Sequence, residues 1–98
     1  MNIPSQTSLC GRILLLLSDG VPRTRAQIHE ALHLPDGDRE TTARIRDLRH
    51  IPGVDLPPAE VRKNAAGGRS YYYHIARLSP RVRAELKLWR EVNGRKAA

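Results

Sequence analysis

Hydrophobic positions keep a helical period at both ends of this chain and switch to alternation in between. Cys10, Ile13, Leu14 and Leu17 recur at i, i+3, i+4 and i+7, which predicts a helix from about Thr7 to Ser18, stopped by Gly20. Leu15 and Leu16 fall off that face, so this helix is apolar nearly all round and needs cover on two sides. Val21-Pro22-Arg23 reads as a minimal edge strand. Thr24 is then an N-cap, with Gln27 completing a capping box, and Ile28, Ala31 and Leu32 form the buried stripe of a second helix that Pro35 ends. Pro35-Asp36-Gly37 turns the chain, Asp38 caps a third helix, and Pro52-Gly53 closes it. On a helical wheel Thr41, Ile45 and Leu48 face inward; Arg39, Ala43, Arg46 and His50 lie opposite, flanked by Thr42 and Arg49.

From Val54 the pattern becomes that of strands. Val54-Asp55-Leu56 leads through Pro57-Pro58 into Glu60-Val61-Arg62-Lys63-Asn64; Ala65-Ala66-Gly67-Gly68 turns, and Arg69 to Ala76 returns as a second strand. Alternation there points Tyr71, Tyr73 and Ile75 inward and Ser70, Tyr72 and His74 outward, which leaves the Tyr72 hydroxyl available to a phosphate. Ser79-Pro80 is a cap followed by proline at the first helical position, and a fourth helix runs to about Val92 with Gly94 as its stop. Its stripe Val82, Leu86 and Trp89, extended by Val92, covers the spare side of the first helix, within the chain or across a homodimer. Residues 1–78 thus form one domain, 79–94 its helical appendage and 95–98 a frayed basic tail.

Charge narrows the partner. The 98 residues carry 17 basic against 10 acidic groups, for a net charge of +7. All the basic residues except Lys63, Lys87 and Lys96 are arginines, whose planar fork suits phosphates and guanine edges. The excess sits in the middle and the end of the chain rather than in one low-complexity arm. Cys10 is the only cysteine, so it forms no internal disulfide and reads as a small core residue; a reducing cytoplasm is the expected setting. The run Ile13 to Leu17 is far too short to span a membrane. His29 and His33 stand one helical turn apart without a third ligand, so no metal is expected. With no nucleophile–base pair, carboxylate cluster or phosphate loop in view, neither an enzyme nor a cofactor is expected.

The order helix, helix-turn-helix, hairpin resembles the winged helix-turn-helix superfamily. The segments Thr42-Ala43-Arg44-Ile45-Arg46-Asp47-Leu48-Arg49, Gly53-Val54-Asp55-Leu56 and Tyr71-Tyr72-Tyr73-His74-Ile75 are similar to small helix-turn-helix proteins of phages and prophages. The likeness covers roughly residues 10–76, and Pro57-Pro58 departs from its pattern by suggesting a longer or bent connection before the wing. It implies an α+β winged helix: a three-helix core with a helix-turn-helix, a two-stranded β-hairpin wing at 61–76, and an additional C-terminal helix. It further implies that helix 39–50 reads the major groove of double-stranded DNA while the wing touches backbone or an adjacent minor groove.

On this reading Arg39, Thr42, Ala43, Arg46 and His50 face bases, and Thr24, Arg25, Arg49, Arg62, Lys63 and Arg69 meet phosphates. Val82, Leu86 and Trp89 would form the interface if the fourth helix serves a dimer. The expected role is a phage- or prophage-type transcriptional regulator. The alternative is a winged-helix protein-interaction module, such as a small phage protein that binds and inhibits a host nucleic-acid-handling complex. An architectural protein that binds duplex with little sequence choice is a third reading. Simple solvated faces are the bland reading of both basic surfaces, with Asp47 and Glu40 pairing Arg44.

Overall fold

A computed structural model describes residues 3–35 and 40–97, the last five as backbone. Its order is α1 (Leu9–Leu17), α2 (Arg25–Leu32), α3 (Glu40–Arg49), β1 (Val54–Asp55), β2 (Glu60–Lys63), β3 (Arg69–Tyr72), β4 (Arg77–Leu78) and α4 (Pro80–Ala97). The fold is α+β: four helices and two separate two-stranded antiparallel sheets, β1–β4 and β2–β3. The expected turn at Asp36-Gly37, the Asp38 cap and Arg39 lie outside the described residues.

Local chemistry sets the helix ends. Ser8 caps α1, its hydroxyl accepting from Gly11 N at 3.1 Å. Thr24 Oγ1 accepts from Gln27 N at 3.2 Å and Gln27 Oε1 accepts from Thr24 N at 2.9 Å, so the capping box of α2 is complete. α2 stops at Leu32, short of Pro35, because His33 adopts the left-handed conformation (φ 56°) and Leu34 N donates back to His29 O at 2.8 Å. Ser79 caps α4 as expected, accepting from Val82 N at 3.3 Å. α4, however, runs through Gly94 to Ala97 instead of ending near Val92, so 95–97 belong to the helix and not to a frayed tail. One glycine costs a helix only about 1 kcal/mol, and the residues beyond it, Arg95, Lys96 and Ala97, are good helix formers.

One core joins all four helices. Ile13, Leu14 and Leu17 of α1 are fully buried with Ile28 of α2, Ile45 and Leu48 of α3, and Val82 and Leu86 of α4. Val82, Leu86 and Trp89 therefore cover the chain's own interior, and the dimer interface assigned to them is corrected: that stripe has no surface left for a second copy. Leu15 and Leu16 are half-buried against the same cluster. The N-terminal segment crosses α1 so closely at Gly11 that an added Cβ would stand 2.0 Å from Ser5 O; only glycine fits there.

The α2 stripe differs from its expectation. Ile28 is buried, but Ala31 is exposed and Leu32 only half-buried; the second buried side chain is His29. A buried imidazole needs a partner, and His29 Nε2 shares a 2.7 Å hydrogen bond with the buried Thr41 Oγ1, tying α2 to the first turn of α3.

The strand region is also divided more finely than its alternation suggests. β1 pairs with β4 through Val54↔Leu78 and Asp55↔Arg77, with Val54 and Leu78 buried. Pro57 and Pro58 follow β1, and because proline donates no ladder hydrogen bond the chain leaves that sheet before β2 begins. β3 ends at Tyr72 rather than Ala76, although Tyr73 still exchanges two backbone hydrogen bonds with Arg23 (2.9 and 2.8 Å). That bridge is the minimal edge strand expected at Val21-Pro22-Arg23.

Candidate functional site

The outer face of α3 carries the exposed side chains of Thr42, Arg46, Arg49 and His50, with Ala43 half-buried among them. Thr41, Ile45 and Leu48 are buried on the other side, so the inward row expected for this helix is the one observed. Arg44 lies toward α1 and pairs with Asp47 at 3.4 Å. Its carbonyl accepts from the Cys10 thiol (3.8 Å), and burial followed by the charge of Asp47 pushes that thiol's pKa up.

Several cations of the helical body are engaged within the chain. Arg12 donates to Leu32 O (2.6 Å) at the negative end of α2, Arg83 donates to Leu78 O (3.2 Å), and Arg90 donates to the Ser18 hydroxyl. Arg23 donates to Leu16 O (3.1 Å) and grips both Asp19 oxygens at 2.8 and 2.7 Å, which holds the Asp19 carboxyl below its ordinary pKa. These arginines fasten one part of the chain to another. By contrast Arg46 and Arg49 on α3, and Lys63 and Arg69 on the hairpin, have no side-chain partner among the described residues.

The hairpin's geometry follows from its register. Glu60 faces Tyr72, Val61 faces Tyr71, Arg62 faces Ser70 and Lys63 faces Arg69. Because successive side chains alternate, Val61, Lys63, Arg69 and Tyr71 share one face and Glu60, Arg62, Ser70 and Tyr72 the other. The loop is organised by Asn64, whose Oδ1 accepts from Ala66 N and Gly68 N, each at 3.0 Å. Gly67 sits there at φ +83°, where a side chain would be strained.

Two hairpin expectations change. Arg62 is not a free cation: its Nε and Nη2 donate to the Glu60 carboxylate at 3.0 Å each, and its guanidinium lies 4.3 Å from the centroid of the Tyr72 ring. The Glu60 carboxyl is held below, and the Arg62 guanidinium above, its ordinary pKa by that hydrogen bonding. Tyr71, expected inside, is exposed, whereas Tyr73 is half-buried against the core and Tyr72 half-buried beneath Arg62. β3 stands off the core at position 71 and reaches it only where Tyr73 bridges to Arg23.

A shallow concavity gathers several of these residues. Thr24, Arg25 and Ala26 at the start of α2, Thr42 on α3, and Ser70, Tyr71 and Tyr73 of the hairpin strand line it together. It brings expected backbone contacts (Thr24, Arg25) beside an expected base contact (Thr42), and it adds Ser70, expected to face outward, and Tyr71, expected to face inward, neither of them an expected DNA contact. Arg46 and His50 follow Thr42 along the exposed row of α3. Among the described residues no group of His, Cys, Asp and Glu is arranged to hold a metal, and no helix is long and apolar enough to cross a membrane. No protein family, curated protein or solved structure matches the chain.

Proposed function

We propose that this chain is a winged helix-turn-helix module that binds double-stranded DNA, in the manner of a phage- or prophage-type transcriptional regulator. The supporting topology is a helix, a minimal strand, two helices and a hairpin whose returning strand bridges back to the minimal one. α3 lies along the major groove, where Arg46, His50 and Thr42 meet base edges around the small Ala43. Arg49, Thr24 and Arg25 meet phosphates, and the hairpin follows the backbone beside them.

The observation that carries this reading is the exposed row on α3, in which Arg46 and Arg49 have no side-chain partner among the described residues although Asp47 lies on the same helix. A solvated face stabilised only by its own ion pairs would engage them as Arg44 is engaged. Fluorescence anisotropy with random-sequence duplex should show binding that weakens steeply with salt. Selection from a duplex library should then yield a preferred site. Arg46→Ala should lose roughly 1–3 kcal/mol of discrimination at one base position. Arg49→Ala should weaken all sequences alike and lower the salt slope by about one. Absence of duplex binding at low salt would overturn the reading and favour a protein-interaction module.

A further inference from the structure

The two faces of the hairpin are chemically unlike. On one, Glu60 and Arg62 neutralise each other through two 3.0 Å hydrogen bonds, and the Tyr72 ring stacks under the same guanidinium, so charge and aromatic surface are already satisfied within the chain. On the other, the cross-strand pair Val61 and Tyr71 leaves 51% and 50% of its surface in water, next to the cross-strand pair Lys63 and Arg69, which has no acid opposite it. An apolar pair in that state adds little to the monomer, and two adjacent like charges cost it stability. The arrangement makes sense against a polyanion that also offers apolar surface, and a duplex offers both: phosphates outside, sugars and base edges between them.

Resting on the DNA-binding reading, we infer that the hairpin meets duplex DNA with the Val61–Tyr71 and Lys63–Arg69 face alone, and that Arg62 takes no part in the contact. Lys63 and Arg69 neutralise phosphates on either strand of the hairpin. Tyr71 and Val61 pack on sugar or base edges between them. Tyr71 lines the same concavity as Thr24, Arg25 and Thr42, together with Ser70 from the other face, so the Val61–Tyr71 face, with its open cations, adjoins the surface of α2 and α3. Arg62 instead stiffens the wing from behind by holding Glu60 and Tyr72.

The experiment is salt-dependent anisotropy of the full chain on random-sequence duplex, with thermal melts confirming that each variant is folded. Lys63→Ala and Arg69→Ala should each lower the salt slope by about one. The double variant Glu60→Gln with Arg62→Gln, which removes a neutral pair, should leave the slope unchanged. Tyr71→Ala should weaken binding by roughly five- to tenfold at unchanged slope, the effect of losing a few tens of Å² of apolar contact. Tyr71→Phe should keep the affinity within about twofold, since the ring carries the contact. If the wild-type chain binds but the double variant loses as much slope as Lys63→Ala, or Tyr71→Ala binds like wild type, the one-face contact is wrong while DNA binding stands. If the wild-type chain fails to bind duplex, both fall together.

Discussion

In the helices, order comes from taking apolar side chains out of water: Ile13, Leu14, Leu17, Ile28, Ile45 and Leu48 are buried from three elements at once. In the hairpin every side chain from 60 to 69 is exposed, and its shape comes from short-range contacts, the Asn64 loop, the Glu60–Arg62 pair and the ring of Tyr72. The contrast teaches that stability and surface chemistry are housed in different stretches of this chain. Several arginines show it: Arg12, Arg23, Arg83 and Arg90 on the helical body reach carbonyls, Asp19 or Ser18, while Arg46, Arg49 and Arg69 have no side-chain partner among the described residues.

The sharpest challenge to this division is a core truncation. Leu14→Ala should cost about 2–5 kcal/mol of unfolding free energy in urea melts, by lost burial and a residual cavity. A loss below about 1 kcal/mol would mean that the α1 face is not the centre of the core. Next comes the polar tie between helices. Thr41→Val strands the buried His29 nitrogen and should cost about 1–3 kcal/mol, whereas His29→Leu combined with Thr41→Val should cost less than that single change. Equal losses would show that the hydrogen bond is dispensable.

Hairpin changes should behave differently. Asn64→Ala should weaken local order by roughly 0.5–1.5 kcal/mol, read as faster amide exchange at Ala66 and Gly68, while the global melting temperature stays near that of wild type. If the whole chain melts earlier by a core-sized amount, the two regions are one cooperative unit. The smallest effect belongs to the Asp19–Arg23 pair, which is partly exposed and screened, so Asp19→Asn should cost less than about 1 kcal/mol at neutral pH. Because Arg23 lowers the folded-state pKa of Asp19 from its ordinary 3.8, the pair stabilises above that value and the benefit disappears as pH falls through the lower folded value. Wild type and Asp19→Asn should therefore converge in urea melts at strongly acidic pH, and a gap that persists there would assign the effect to something other than the carboxylate.

Much of the helical body was legible in the sequence because period and capping chemistry are local. The α1 face, the Thr24–Gln27 box, the inward row of α3 and the Ser79-Pro80 start all follow from residues within two turns of one another. What escaped depends on partners far along the chain. Ala31 looked like core and His29 did not, because only the fold reveals that Thr41 waits opposite the imidazole. The two-residue strands β1 and β4 are too short to show a period, and they lie more than twenty residues apart. Tyr71 kept the right parity with Tyr73 but sits where β3 has left the core. The Glu60–Arg62 pair was the exception: residues two apart on a strand share a side, so the neutralised cation was visible in the sequence and went unweighed. The α3 face and the hairpin cations were legible as exposed groups; that one hairpin side is saturated and the other open was not.

The β1–β4 pairing has a consequence for how such a chain can change over generations. Asp55 and Arg77 are antiparallel neighbours, so the hairpin between them departs and returns at one place, with Leu56 and Ile75 anchored in the core at its two ends. An insertion, deletion or recoded loop between β2 and β3 is thus kept away from the interior, provided that the Arg23–Tyr73 bridge and the core packing of Leu56, Tyr73 and Ile75 are preserved. New preferences could be tried there by drift or by grafting, while the scaffold underneath keeps folding unaltered.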